Sequence, residues 1–189
     1  MESEKMKGLV FTTFIDYVEE HHGYKVIDEA FNSLDLSSQG IYSALGYYDF
    51  AEMVALLEFF SETLGADPDD MVYSYGKQLF SKLFDAHPNI VREYQSAPEL
   101  LKYIEHNIHY EVQNLYHDAK LPTIDVKISS DERTIDLAYQ SHRPLAWLFR
   151  GLVEGCLGHF EQLSAYTIIP QMTETKTSMN LKLVLNETS

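Results

Sequence analysis

A chain of 189 residues, 45% hydrophobic and 23% charged, suits one well-cored globular domain, with room for two lobes but hardly for two independent domains, and is not the composition of a disordered segment. Its formal charge of −15, from 29 acidic against 14 basic residues, argues against binding nucleic acid or an anionic membrane, both of which select basic patches. A single cysteine, Cys156, excludes intrachain disulfides and multi-cysteine zinc sites.

No apolar run approaches the ~18 residues needed to span a bilayer. The first residues, Met1-Glu-Ser-Glu-Lys-Met-Lys7, lack the apolar core of a signal peptide, so a cytoplasmic protein is expected. Thirteen tyrosines and ten phenylalanines point to an interior or a pocket lined with rings.

In chain order, residues 8–22 place Val10, Phe14, Tyr17, Val18 and His21 at helical spacing, with Gly23 as the stop. A short helix carrying Val26, Ile27, Ala30 and Phe31 follows. The stretch from Ser37 to Tyr48, punctuated by Gly40 and Gly46, reads as loop. Asp49 with Glu52 three residues on predicts a helix start with an acidic N3 residue. Phe50, Met53, Val54, Leu57, Phe60 and Leu64 form its inner face, ending near Gly65. Asp67-Pro68-Asp69-Asp70 is a start signal for another helix, with Val72, Tyr75, Gly76, Leu79, Phe80 and Leu83 turned inward. Gly76 inside a helix costs about 1 kcal/mol relative to alanine. It therefore marks close packing, a ligand, or merely a tolerated surface glycine.

The run from Pro98 to His117 repeats Leu101, Ile104, Ile108, Val112 and Leu115 at steps of three and four, one face of a helix. Ser96 and Pro98 fit its N-terminus, and Pro122 lies past its end. At 100° per residue, His106 falls about 160° and His117 about 180° from the centre of the stripe, whereas His109 lies about 100° away at its border. His109 alone of the three can look into an interior cavity, although by pattern a single border histidine is usually a satisfied surface or core residue. Beyond Pro122 the period changes to two. Ile124, Val126 and Ile128, then Ile135, Leu137 and Tyr139, predict a β-hairpin. A helix from about Pro144 to Leu163 uses Leu145, Leu148, Leu152, Cys156 and Phe160. Two further strands, Tyr166 to Met172 and Ser178 to Leu185, complete the chain. The expected class is α+β with a four-stranded antiparallel sheet.

Few motifs carry chemistry. There is no phosphate-binding glycine loop, nucleophile elbow or paired-carboxylate motif, and the acids read as solvated faces. His21 and His22 point about 100° apart and cannot share a metal on one helix face. No partner completes a zinc triad with His106 and His109. Cys156 sits in an apolar pattern and reads as an inert buried thiol. The exception is Tyr139-Gln-Ser-His-Arg143, at the end of the second hairpin strand. On a strand, Tyr139, Ser141 and Arg143 point to the same side over ~13 Å. A phenol, a hydroxyl and a guanidinium so aligned suit carboxylates, which arginine grips bidentately. The bland reading is a surface arginine that ends a strand.

Tyr-x-Ser-x-Arg resembles the haem-propionate clamp of the haem nitric oxide/oxygen binding (H-NOX) family, the gas-sensing domain of soluble guanylate cyclase and its bacterial relatives. Met6-Lys-Gly-Leu-Val10 resembles the family's N-terminal start, and the first five residues precede it. Ile108-His-Tyr-Glu-Val-Gln-Asn-Leu-Tyr116 resembles the segment bearing the proximal haem histidine, which places that role on His109. Pro122, thirteen residues on, matches the proline that presses on the porphyrin. Gly151-Leu-Val-Glu-Gly155 resembles the turn of the helix after the clamp. The cysteine-rich zinc site of some relatives is absent.

The resemblance implies a bacterial stand-alone haem b (iron protoporphyrin IX) sensor with no catalytic activity. The haem would lie between an N-terminal helical distal lobe (about 1–65) and a proximal lobe with the sheet (about 66–189). His109 is the implied iron ligand, Tyr139, Ser141 and Arg143 the implied propionate holders. Val10, Phe14, Met53, Leu79, Leu148 and Leu152 are candidates to line the distal side. Dioxygen-binding relatives carry a distal tyrosine nine residues after the clamp tyrosine, where this chain has Leu148. The neighbouring distal positions, Phe14 and Leu79, are also without a donor. Such a pocket implies binding of nitric oxide and carbon monoxide with exclusion of dioxygen. The implied signal is weakening of the iron–His109 bond and movement of the N-terminal lobe, read in trans by a histidine kinase or a cyclic-di-GMP enzyme. The alternative is a haem-free scaffold that binds another hydrophobic ligand or a protein.

Overall fold

The computed structural model describes residues 4–86, 93–104 and 122–187. Among these are six α-helices and six strands in two sheets. The chain divides into two compact units, Met1–Met71 and Val72–Ser189.

In the first unit, β1 (Lys5–Lys7) leads into α1 (Gly8–His22), α2 (Tyr24–Ser33), β2 (Tyr47–Asp49) and α3 (Phe50–Leu64). Helix α1 stops where predicted, at Gly23, whose φ of 83° places it outside the helical region and whose N–H donates to Glu19 O (2.8 Å). The core is built by Phe11, Phe14 and Val18 of α1, Ile27 and Ala30 of α2, and Leu56 and Phe60 of α3, all buried. Each of the larger ones contributes about 1.5–3 kcal/mol by leaving water. The buried stripe of α3 runs Met53, Leu56, Phe60 rather than through Leu57, which is only half-buried.

The strands β1 and β2 pair antiparallel, Lys5 with Asp49 and Lys7 with Tyr47, which corrects the reading of loop through Tyr48. Three residues are too short for an alternation to register. Their pairing depends on partners 40 to 44 residues apart and on the Lys5–Asp49 ion pair (2.9 Å). Helix α3 begins after Asp49 as expected, but Asp49 makes no side-chain cap. Glu52 is buried and reaches instead to the loop, accepting from Ser38 Oγ (2.5 Å), Ser38 N (3.3 Å) and the Tyr42 hydroxyl (2.8 Å).

Helix α4 (Pro68–Ala86) starts as the sequence predicts, with Asp67 Oδ1 accepting from the N–H groups of Asp69 (2.8 Å) and Asp70 (3.2 Å). Helix α5 (Ala97–Tyr103) has Ser96 at its N-cap and Pro98 in its first turn, and it buries Ala97, Leu100 and Leu101. The rest of that predicted helix, including His106, His109 and His117, lies outside the described residues.

The strands β3 (Thr123–Ile128), β4 (Thr134–Gln140), β5 (Tyr166–Met172) and β6 (Ser178–Leu185) form the expected antiparallel sheet, in the order β3-β4-β6-β5. Its register stacks three apolar rows across one face: Ile124–Tyr139–Met179–Met172, Val126–Leu137–Leu181–Pro170 and Ile128–Ile135–Leu183–Ile168. Pro170, which cannot donate to a ladder, is on the edge strand. Helix α6 (Ala146–His159) packs on this face through Phe149, Val153, Cys156 and Leu157. It is shorter than the span Pro144–Leu163 that periodicity suggests. Glu161 turns left-handed (φ 56°), and Gln162 N donates back to Leu157 O (2.8 Å), so the chain leaves the helix before a short 3₁₀ turn at Leu163–Ala165.

Gly76 and Gly151 face each other where α4 meets α6. A Cβ on Gly76 would lie 2.6 Å from Leu148 O and 3.0 Å from Gly151 Cα, so the glycine is there for close packing.

Candidate cofactor-binding site

Alternation along β4 puts Tyr139 on the core face, where it is buried. Its ring stacks on Phe149 of α6 with centroids 4.6 Å apart and planes 14° from parallel. The strand ends at Gln140, so Ser141 and Arg143 leave it in a bend instead of continuing the pleat. Ser141 N still donates to Thr177 O (2.8 Å), which extends the β4–β6 pairing by one bond. Ser141 Oγ then accepts from the backbone N–H of Arg143 (3.1 Å), and Leu145 N donates to Arg143 O (2.8 Å). Arg143 is brought to 9% exposure by this compact loop.

The Tyr139 phenol senses both of the other side chains. Burial raises the Tyr139 phenol above its usual pKa, while a hydrogen bond with Ser141 and the positive charge of Arg143 act in the opposite direction. The phenol is thus a neutral donor at physiological pH, beside a hydroxyl and a guanidinium. That donor set fits a carboxylate, as the propionates of a haem would present. Pairing of Thr123 with Gln140 places Pro122 at the same end of the sheet as Ser141. His109 lies outside the described residues.

The six apolar candidates fall into two sets. In the first unit, Phe14 and Met53 are buried and Val10 is half-buried. Phe14 stacks near Tyr17 (6.4 Å, 13°) and meets Phe60 edge-on (6.0 Å). In the second unit, Leu79 and Leu148 are buried and Leu152 is half-buried. Cys156 is 1% exposed, and burial pushes its thiol up to about 12, consistent with an inert core position. Among the described residues, no group of three histidine, cysteine or carboxylate side chains could hold a metal ion. No helix among them is long and apolar enough to cross a membrane.

Sequence reasoning missed two buried acids by treating all carboxylates as solvated. Glu52 is one. Glu154 on α6 is the other, at 6% exposure. It accepts from Arg150 Nε (2.8 Å) and from the Tyr73 hydroxyl of α4. Arg150 lies over the rings of Tyr73 (5.1 Å) and Trp147 (5.4 Å). Burial, then the bond to Glu154, raises the Tyr73 phenol to about 12. The available signal was Arg150 four residues before Glu154 on an otherwise apolar helix, where two charges survive only as a pair.

A phenol, a hydroxyl and a guanidinium thus meet at the end of β4 on an α+β scaffold, a donor set of the kind that suits a carboxylate. The sequence matches the Haem-NO-binding family over residues 7–167. The fold is similar to the crystal structure of the Fe(II) unliganded H-NOX protein from K. algicida, with TM-score 0.86 and 33% identity, covering 97% of this chain and 98% of that one. It is also similar to the S. oneidensis H-NOX protein in the Fe(II)NO state, with TM-score 0.82, 25% identity and coverage of 96% and 100%. The solution structure of H-NOX from Shewanella woodyi in the Fe(II)CO state gives TM-score 0.81 and 33% identity, covering 96% and 95%. No curated protein matches the chain significantly. The chain belongs to the Haem-NO-binding, or H-NOX, family.

Proposed function

We propose that this protein is a haem b gas sensor without catalytic activity of its own. It binds nitric oxide and carbon monoxide at ferrous haem, excludes dioxygen and signals to a separate partner. The observation that carries this reading is the meeting of buried Tyr139 and Arg143 with Ser141 in a chain of this family. Ferrous haem supplies the iron at which the gas binds.

The chain's residues do the rest. His109 would hold the iron through an imidazole nitrogen, and a loosening of that hold would be the signal. Tyr139, Ser141 and Arg143 would hold the propionates, and Pro122 would press on the macrocycle. Val10, Phe14, Met53, Leu79, Leu148 and Leu152 present no hydrogen-bond donor from their side chains. Bound dioxygen carries partial negative charge and needs such a donor, whereas nitric oxide and carbon monoxide need it far less. The acidic surface, at −15 overall, suits a basic patch on a cytoplasmic partner such as a histidine kinase or a cyclic-di-GMP enzyme.

An absorption spectrum of the ferrous protein tests the reading. A Soret band, a five-coordinate nitrosyl spectrum with nitric oxide and no stable dioxygen complex are expected. Absence of a Soret band after reconstitution with haem would favour a haem-free scaffold.

A further inference from the structure

The segment that carries Ser141 and Arg143 is held from outside by a neighbouring turn. Ladder pairing of β4 with β6 ends at Gln140 opposite Ser178. Beyond it, Ser141 N donates to Thr177 O (2.8 Å) and Ala146 N donates to Lys176 O (3.1 Å). Two consecutive carbonyls of the β5–β6 turn therefore bracket the loop that brings Arg143 into the interior. The aim of both carbonyls depends on the backbone at Lys176, which is left-handed with φ 55°.

The turn that imposes this conformation is closed by its own bonds. Thr173 N donates to Ser178 O (3.2 Å) and Lys176 N donates to Thr173 O (3.0 Å). Hydroxyl groups add to it, with Thr175 Oγ1 and Thr177 Oγ1 2.8 Å apart and Ser178 Oγ donating to Thr173 Oγ1 (3.2 Å). A lysine at positive φ is tolerated at a cost, and a β-branched residue there is a genuine outlier.

We propose that the Thr173–Ser178 turn is a positioning element of the carboxylate clamp, and that left-handed Lys176 sets where Ser141 and Arg143 stand. The proposal rests on reading Tyr139, Ser141 and Arg143 as the propionate-holding set. Lys176 and Thr177 act through backbone carbonyls and touch the carboxylates only by way of the loop they hold.

Three variants of the full haem-loaded protein separate this role from general stability. Lys176→Gly keeps the positive φ and both carbonyls. Lys176→Val resists that φ, and Lys176→Pro abolishes it together with the N–H that closes the turn. Two quantities are measured: hydrogen exchange at the Ser141 and Ala146 amides, and haem release to an excess of acceptor protein in wild-type and Arg143→Ala backgrounds. With Lys176→Val, exchange at both amides and haem release should each rise roughly three- to tenfold in the wild-type background. Lys176→Gly should stay near wild type. In the Arg143→Ala background the same Lys176→Val change should accelerate haem release by less than about twofold, because the two changes act through one group.

Equal acceleration in both backgrounds would mean a merely structural turn and would overturn the proposal. Unchanged amide exchange in Lys176→Val and Lys176→Pro would overturn it as well, while leaving the clamp reading intact. If Arg143→Ala alone leaves haem release unaltered, the clamp reading itself fails and takes the proposal with it. Should Lys176→Pro not fold, Lys176→Val carries the test.

Discussion

Gly151 sits so close to α4 that a Cβ on it would lie 2.2 Å from the carbonyl oxygen of Tyr73 and 2.9 Å from Gly76 Cα. The obstruction is backbone on both counts, so no rotamer change relieves it. Gly155, one turn on, is similarly close to Lys77 O (2.8 Å). The pair of helices is in contact along a glycine face.

Gly151→Ala should therefore destabilise the protein. Alanine gains about 1 kcal/mol of helix propensity. Forcing a methyl into this seam costs roughly 1–3 kcal/mol or more, because the helices must separate. The second effect wins, and urea denaturation should show a lower midpoint. An unchanged or raised midpoint would mean that the seam can open at little cost.

Glu154 binds the same two helices by a polar contact. Glu154→Ala leaves Arg150 and the Tyr73 hydroxyl without their shared acceptor and should cost about 2–4 kcal/mol. Glu154→Gln keeps an acceptor oxygen and should cost less. The pH dependence follows from Tyr73, whose phenol is raised from 10.0 to about 12 in the folded protein. A raised folded value means that the unfolded chain loses this proton first. The contribution is complete below pH 10 and is lost as pH climbs from there towards 12. Tyr73→Phe should flatten that part of an alkaline stability profile, and a profile that stays equally steep would exclude Tyr73 as its source.

His109→Ala tests the axial ligand. The variant should purify without haem, and free imidazole supplied during reconstitution should restore a Soret band. Full haem content and normal ligand spectra without imidazole would remove His109 from its assigned role.

Leu148→Tyr tests the distal pocket. Leu148 is buried on α6, and a phenol there adds the donor that bound dioxygen needs. The ferrous variant should form a measurable dioxygen complex in air. A ferrous spectrum that does not change over minutes in air would show that this position does not face the gas.

Much of the sheet was legible in the sequence because its strands alternate over six to eight residues and one face is apolar throughout. The start of α4 was legible for a similar local reason, since Asp67 caps amides two and three residues away. The pair β1–β2 was not, because three-residue strands have no period of their own. The ends of α6 were misjudged because the apolar spacing runs on through Phe160 and Leu163, while Glu161 takes a left-handed backbone that stops the helix.

By itself the sequence determined the α+β class, the four strands of the larger sheet and the Tyr-x-Ser-x-Arg signal, all properties of spacing within a dozen residues. Only the tertiary structure decided how the acids are buried, since beyond the local pair of Glu154 with Arg150, Glu52 and Glu154 accept from tyrosine hydroxyls 10 and 81 residues away. It alone also decided how Ser141 and Arg143 are aimed. The strand that would have aligned them ends at Gln140, and the carbonyls that replace it come from a turn over thirty residues further along the chain. Short-range periodicity is written in the order of residue types. The distant partners of a buried charge and the aim of a loop depend on long-range contacts that no local pattern encodes.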